Sequence, residues 1–287
     1  MKKIIYFTLI AAIASGVITL IHKSSLRKAA SYGCGGVGAL KNKEFKMREQ
    51  AEPVDLRILE SVSLSGSAQF SKSSLLQILE EIRKQQSNQK SPIAIVDVRQ
   101  EMHLLGDGKL ATTISEKDWS EINHKLEFII KDENSLVQPG IIEREETIVR
   151  NLGAQYLRVS VTDDAIPNNK SVDLFIEFYK EQIQSDPKTW FHVHCEHGHG
   201  RTTTFMTLVH ILNTKGKTKL GDILDEQYEK GKIDLSFPPK DKHAGKNVDL
   251  QRMRFAFLEE FHQYVNDAES GYFSGKSWSE WKQLVSE

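Results

Sequence analysis

Apolar positions along this chain follow two periodicities. Leu75, Ile78, Leu79 and Ile82 recur at helical spacing, and Ser74 with Gln77 reads as a capping box at the start of that helix. Ile93 to Val98 is a short β-branched run, the pattern of a strand buried on both faces. Ile141 to Asn151 reads as a helix ended by Gly153, and Tyr156 to Val161 as a strand. After Pro167, the residues Val172, Phe175, Ile176, Tyr179 and Ile183 mark one face of a helix. Trp190 to His194 reads as a further strand. It leads into a helix, Thr202 to Leu212, that is apolar on most sides and therefore central, with Gly216 near its end. Leu250, Met253, Phe257, Leu258, Phe261, Tyr264 and Val265 mark a long amphipathic helix, and the segment with Trp278 and Trp281 reads as a short helix packed on the surface. Strands alternating with helices predict an α/β domain with a mostly parallel central sheet flanked by helices.

The ends of the chain differ from this pattern. Lys2 and Lys3 precede an uncharged stretch, Ile4 to Ile21, which His22, Lys23, Arg27 and Lys28 follow. A basic start and an apolar run read as an export signal, with Ala12-Ile13-Ala14 as a cleavage site; the same run reaches the lower limit for a membrane span. Residues 1–21 are therefore read as a signal peptide or a membrane anchor. The protein would be exported (periplasmic or secreted) or held in the inner membrane facing outward. Residues 22–50 read as a polar linker, 51–266 as the globular domain and 267–287 as a tail. A net charge of −1 argues against nucleic acid as a partner, so any affinity for anions must come from local clusters. The two cysteines, Cys34 and Cys195, make no disulfide framework, and Cys34 lies in a glycine-rich, linker-like stretch.

Chemistry concentrates in one run, His194-Cys195-Glu196-His197-Gly198-His199-Gly200-Arg201-Thr202, placed between a predicted strand and a predicted helix. A loop there can turn the backbone N–H groups of residues 196 to 200 around a phosphate, with the helix dipole favouring the anion. Cys195 is the candidate nucleophile, since a helix N-terminus and a nearby arginine favour the reactive thiolate form of a cysteine. Arg201 can grip phosphate oxygens bidentately. The hydroxyl of Thr202 is placed to hydrogen-bond the sulfur. The leaving oxygen needs a proton, and Val161-Thr162-Asp163-Asp164-Ala165-Ile166-Pro167 offers a stiffened loop with Asp163 as the candidate acid and Asp164 as its competitor. The same region holds His192, His194, Cys195, His197 and His199, a set zinc could use. No second ligand pair accompanies them, and a zinc site leaves Gly198, Gly200, Arg201 and Thr202 without a role. We therefore expect neither metal nor cofactor, and core positions for His192 and His194.

These residues resemble a known family. The Cys195-to-Arg201 loop followed by Thr202 is similar to the signature of cysteine-dependent phosphatases. Leu64 to Ser71 (LSGSAQFS) and Val96 to His103 (VDVRQEMH) resemble segments of the bacterial cysteine phytases, the protein-tyrosine-phosphatase-like inositol polyphosphatases. The resemblance spans roughly residues 55–266. It implies a phosphatase-type fold and stepwise removal of phosphate from inositol hexakisphosphate without a metal, with Cys195 as nucleophile, Arg201 as phosphate binder and Asp163 as acid. It further implies that Asp97 lines the pocket, that Arg99 braces loops, and that Lys240, Lys242, His243 and Lys246 contact the other phosphates. Three departures stand out. Histidines occupy positions 197 and 199, where small or apolar residues are usual and where imidazolium would add positive charge; Asp164 follows the acid in place of a histidine; and the stretch from Ser236 to Lys246 matches the family poorly. Protein tyrosine, dual-specificity and phosphoinositide phosphatases share the loop, and a polyphosphate-binding protein without turnover would also use it.

Overall fold

The computed structural model describes residues 45–48, 55–100, 104–106, 109–113, 142–240 and 247–286. The signal or anchor at 1–21, Cys34, Lys242, His243 and Lys246 lie outside the described residues. Among the described helices, none is long and apolar enough to cross a membrane. The strands run β1 (Phe45–Arg48), β2 (Arg57–Leu59), β3 (Leu64–Ser67), β4 (Ile93–Asp97), β5 (Leu104–Gly106), β6 (Lys109–Thr113), β7 (Ile142–Arg144), β8 (Gln155–Arg158) and β9 (Trp190–His194). The helices are α1 (Lys72–Gln85), α2 (Glu145–Asn151), α3 (Asn169–Ser185), α4 (Gly200–Asn213), α5 (Leu220–Gly231), α6 (Val248–Asn266) and α7 (Trp278–Leu284).

Every residue of β4 and β9 is buried, which puts these two strands inside a sheet covered on both faces. The order is β2-β3-β9-β4-β8, parallel from β3 to β8, with β2 antiparallel at the edge. Alternation along the strands divides the core in two. Ala94, Val96, Phe191 and Val193 face α3, α4, α6 and α7, whereas Ile93, Ile95 and Trp190 face α1 and α2. Helix α4 lies deepest, with every residue from Arg201 to Leu212 buried. The mostly parallel sheet flanked by helices is the architecture expected from the alternating elements.

Four details differ from the sequence reading. The cap of α1 is Ser71, whose side chain accepts from the Ser74 N–H at 3.2 Å, so that helix starts earlier than the apolar spacing indicates. Ile142–Arg144 is strand, paired antiparallel with β5, and α2 begins only at Glu145. Three residues are too few to show a period, and the pairing partner decides their conformation. Phe45–Arg48, inside the stretch read as linker, pairs with β6, completing a second, antiparallel sheet of order β1-β6-β5-β7. The structured chain therefore starts before residue 51.

The fourth difference is the C-terminal helix, which is core rather than surface cover. Trp278 and Trp281 are each 1% exposed. The Trp278 ring centroid lies 5.7 Å from those of Phe257 and Phe261, and 5.6 Å from that of Tyr264. Its indole N–H donates to Asn169 Oδ1 at 2.9 Å, so the one polar atom is satisfied on burial. A seven-residue amphipathic segment shows no long apolar run, and only the tertiary partners reveal its depth. Trp278→Ala is expected to lower unfolding stability by about 3–5 kcal/mol. A shift in the urea midpoint measures it, and a change below ~1 kcal/mol would contradict the buried position.

Candidate active site

Strand β9 ends at His194, α4 begins at Gly200, and residues 195–199 must turn the chain between them. Gly198 makes that turn possible, with φ at +74°, in the left-handed region. A Cβ there would also stand 2.6 Å from Ala68 N and 2.7 Å from the Ser67 carbonyl carbon. The loop thus packs backbone to backbone on the segment after β3, and Gln69 N–H donates to Glu196 O at 3.2 Å to hold it there. Gly198→Ala combines strain with a backbone clash. Phosphate release is expected to drop at least about tenfold in a protein that still folds, since small displacements at reacting centres are costly. Steady-state kinetics alongside circular dichroism checks this.

Arg57 fixes the other side of the loop. Its Nη1 donates to Thr203 Oγ1 at 2.8 Å and its Nη2 donates to Gly198 O. Burial pushes this guanidinium down from its ordinary value, with Asp55 and Cys195 opposing. An arginine has no route to neutrality at physiological pH, so its burial is compensated by the loop carbonyl it holds. The sequence reading passed over Arg57, because a single arginine at the start of a short edge strand carries no pattern.

The loop floors a cleft of about 510 Å³ whose lining includes Cys195, Arg201, Asp163, Asp164, Lys232 and Arg254. Cys195 is 3% exposed and carries a free thiol. Arg201 Nη2 pairs with Asp163 Oδ1 at 2.9 Å, while its Nη1 donates to Val161 O at 3.2 Å. The two segments that the sequence nominated separately are therefore in contact. Asp163 N–H donates to Gln100 Oε1 at 3.3 Å, anchoring the acid loop to the end of the Asp97–Gln100 segment. Asp164 also lines the cleft, in a left-handed conformation with φ at +53°, but forms no ion pair with Arg201. His197, His199 and Gly200 line the cleft as expected, with Glu196 half-buried beside His197 at 3.9 Å.

Several expected roles change. Asp97 does not line the cleft. It is fully buried, its Oδ1 accepts from Arg99 N–H at 2.9 Å and its Oδ2 from Tyr156 OH at 3.1 Å, which makes it a brace at the end of β4. Arg99 is also fully buried and bonds Gln69, a bracing position in keeping with the sequence reading. The Thr202 hydroxyl is buried and forms no hydrogen bond among the described residues, so the expected bond to sulfur is not made in this structure. Its methyl instead approaches the Gly66 backbone. Lys240 turns away to pair with Asp225, and its N–H donates to Asp234 Oδ2 at 2.7 Å. For His199, partial desolvation pushes the imidazole down, with His197 and Arg57 adding to the push and Asp55 opposing, which works against the expected imidazolium.

Two cations in the cleft were missed. The Arg254 guanidinium, from α6, lies directly over Gly200, so a side chain at residue 200 would have to displace it. Burial pushes Arg254 down and Arg201 adds to that, while Asp164, Asp163 and Cys195 pull it up. Lys232 enters from the end of α5. Each lies in a charged stretch with no local distinction, and its relevance comes from folding alone. The five metal-capable side chains do not converge either. His192 bonds Ser65 Oγ at 2.9 Å and Ser67 Oγ at 3.1 Å, His194 Nε2 is 2.7 Å from Glu145 Oε1, and His197 and His199 are exposed.

Comparison with known proteins accords with this geometry. Residues 97–213 match the family model described as PTP-like phytase, inositol hexakisphosphate. The PTP-like phytase of Bdellovibrio bacteriovorus superposes with a TM-score of 0.67 at 27% identity, covering 87% of this chain and 98% of that one. The PTP-like myo-inositol phosphatase of Mitsuokella multacida, solved in complex with myo-inositol-(1,3,4,5)-tetrakisphosphate, superposes with a TM-score of 0.60 at 24% identity, over 85% of this chain and 46% of that one, and shares the fold. Effector protein HopD2 of Pseudomonas syringae pv. tomato is 24% identical over 227 residues, 68% of this chain; the chain spans less than half of that relative, 47%. The family model matches from the end of β4 to the end of α4, and nearly the whole Bdellovibrio phytase superposes, so this chain resembles the PTP-like phytases in its phosphate-loop region and in its fold.

Proposed function

We propose that this protein is a cysteine-dependent phosphatase that removes phosphate from myo-inositol polyphosphates through a phosphocysteine intermediate. The match to the PTP-like phytase model and the superposition on the Bdellovibrio phytase support a phosphoric monoester hydrolase. The observation that carries the mechanism is the arrangement of three groups: Cys195 at the floor of the cleft, and Arg201 and Asp163 paired at 2.9 Å on its wall.

The steps follow from what each atom can do. The Cys195 thiolate attacks phosphorus, forming the P–S bond as the P–O bond to the inositol breaks. Asp163 gives its proton to the departing oxygen. Arg201 and the loop N–H groups hold the three equatorial oxygens as charge redistributes. In the second step water attacks phosphorus, Asp163 takes a proton from that water, and the sulfur leaves as thiolate. The hydroxyl of Thr202, without a partner among the described residues, is free to rotate toward the departing sulfur.

A polyphosphorylated ring fits the rest of the cleft. Arg254, over Gly200, and Lys232, whose ammonium pairs with Glu229 at 2.9 Å, both line the cleft and add positive charge suited to further phosphates of one ring. The test compares phosphate release from inositol hexakisphosphate and from a phosphotyrosyl peptide, at about pH 5 and pH 7, with Cys195→Ser as the blank. Cysteine-dependent preference for the inositol supports the reading. Preference for the peptide makes the protein a protein phosphatase, and retention of phosphate without release makes it a binding protein.

A further inference from the structure

Against the residue that precedes the nucleophile lies a buried group that the mechanism does not use. Glu145 is the first residue of α2, and its carboxylate is completely buried. Its neighbour Glu146 sits on the same helical turn yet is exposed and pairs with Arg150 at 3.0 Å. Burying a carboxylate is costly unless it is firmly partnered. Glu145 Oε1 is 2.7 Å from His194 Nε2, and the imidazole is as buried as the carboxylate. His194 is the last residue of β9 and is bonded covalently to Cys195. Its ring is confined on another side by Phe70, with centroids 4.6 Å apart, and its carbonyl accepts from Val98 N–H at 2.9 Å.

We propose that Glu145 is a positioning residue for Cys195: by holding the His194 ring in one orientation and one tautomer, it fixes the backbone from which the phosphate loop departs. This rests on the reading of Cys195 as nucleophile. The surroundings narrow the choice of protonation state. Asp97 approaches Glu145 and His194 closely enough that one side-chain atom from each lies within 4.8 Å of the others. Arg99 and Tyr156 bond Asp97, and Arg158 Nε is 3.8 Å from its Oδ2. Burial pushes the His194 imidazole down; Asp97 pulls it up, Arg99 pushes it down, and Cys195 pulls it up. A neutral imidazole has one donor and one acceptor nitrogen, and a carboxylate facing Nε2 requires the proton there. The ring is then locked at Nε2 by Glu145 and laterally by Phe70.

Two measurements on the full chain test this. The first needs no substitution at Glu145: nitrogen-15 NMR of histidine-labelled protein, with the His194 resonance identified by its loss in His194→Gln. The Nε2–H tautomer across about pH 5 to 8 is expected, and an Nδ1–H tautomer would overturn the proposal. The second compares Glu145→Gln, His194→Gln and the double variant. Glu145→Gln keeps the shape but offers a donor as well as an acceptor. Its kcat on inositol hexakisphosphate is expected to fall about tenfold with KM within about twofold, and the double variant is expected to lose no more than His194→Gln alone, because both act along one route. Unchanged kcat in Glu145→Gln, or losses that multiply in the double variant, would overturn it. If instead Cys195→Ser retains turnover, the nucleophile assignment fails, which is a separate result from a silent Glu145→Gln.

Discussion

Cys195→Ser is expected to abolish phosphate release, by about 10⁴-fold or more, while inositol hexakisphosphate still binds. A hydroxyl is a far weaker nucleophile than a thiolate at neutral pH. The substitution exchanges one small atom at a position that is 3% exposed, so the loop, the Arg201 clamp and the cleft wall persist. Binding measured by isothermal titration calorimetry and release measured by phosphate assay separate the two effects. Residual hydrolysis above a few per cent would show that water attacks the phosphate without a covalent intermediate.

Asp163→Asn is expected to have the second-largest effect and to move two quantities in opposite directions. Loss of the acid should lower kcat by about 10²–10³-fold, the range in which general acids contribute. The same change removes the carboxylate that engages Arg201 Nη2 at 2.9 Å, an interaction a substrate phosphate has to displace. Asp163 is 66% exposed, so this contact is worth at most about 1 kcal/mol, and phosphate should bind up to about fivefold more tightly to the variant. Asp164→Asn lacks both features and should change kcat by less than about threefold. Were Asp164→Asn the slower enzyme, the acid would be Asp164, which also lines the cleft.

What could be read from the sequence is what is contiguous in it. The run from His194 to Thr202 places strand end, turn, cysteine and helix start within one stretch, so its geometry follows from local rules. Asp163 was legible for a related reason, since a strand, two acids and a proline form a recognisable loop. Arg57 and Arg254 escaped because each reaches the phosphate loop across the fold, and nothing nearby in sequence sets either apart from other arginines. Asp97 and Lys240 failed in the opposite sense. The chain places both near the cleft, but Arg99 N–H and Tyr156 claim one, and Asp225 claims the other. The antiparallel sheet of β1, β5, β6 and β7 escaped too, since strands of three to five residues offer too few alternations to show a period.

The depth of Trp278 and Trp281 sets the order in which this protein can come into being. Phe257, Phe261 and Tyr264 pack on Trp278, and the same cluster reaches through Phe205 to the helix behind the phosphate loop. During synthesis, these rings stay uncovered until the ribosome has translated past residue 281 and that stretch has cleared the exit tunnel. Such surface is a target for chaperones and a seed for aggregation while it waits. Products that end before Trp278 should therefore be recovered as insoluble, inactive material even when every residue of the cleft is present.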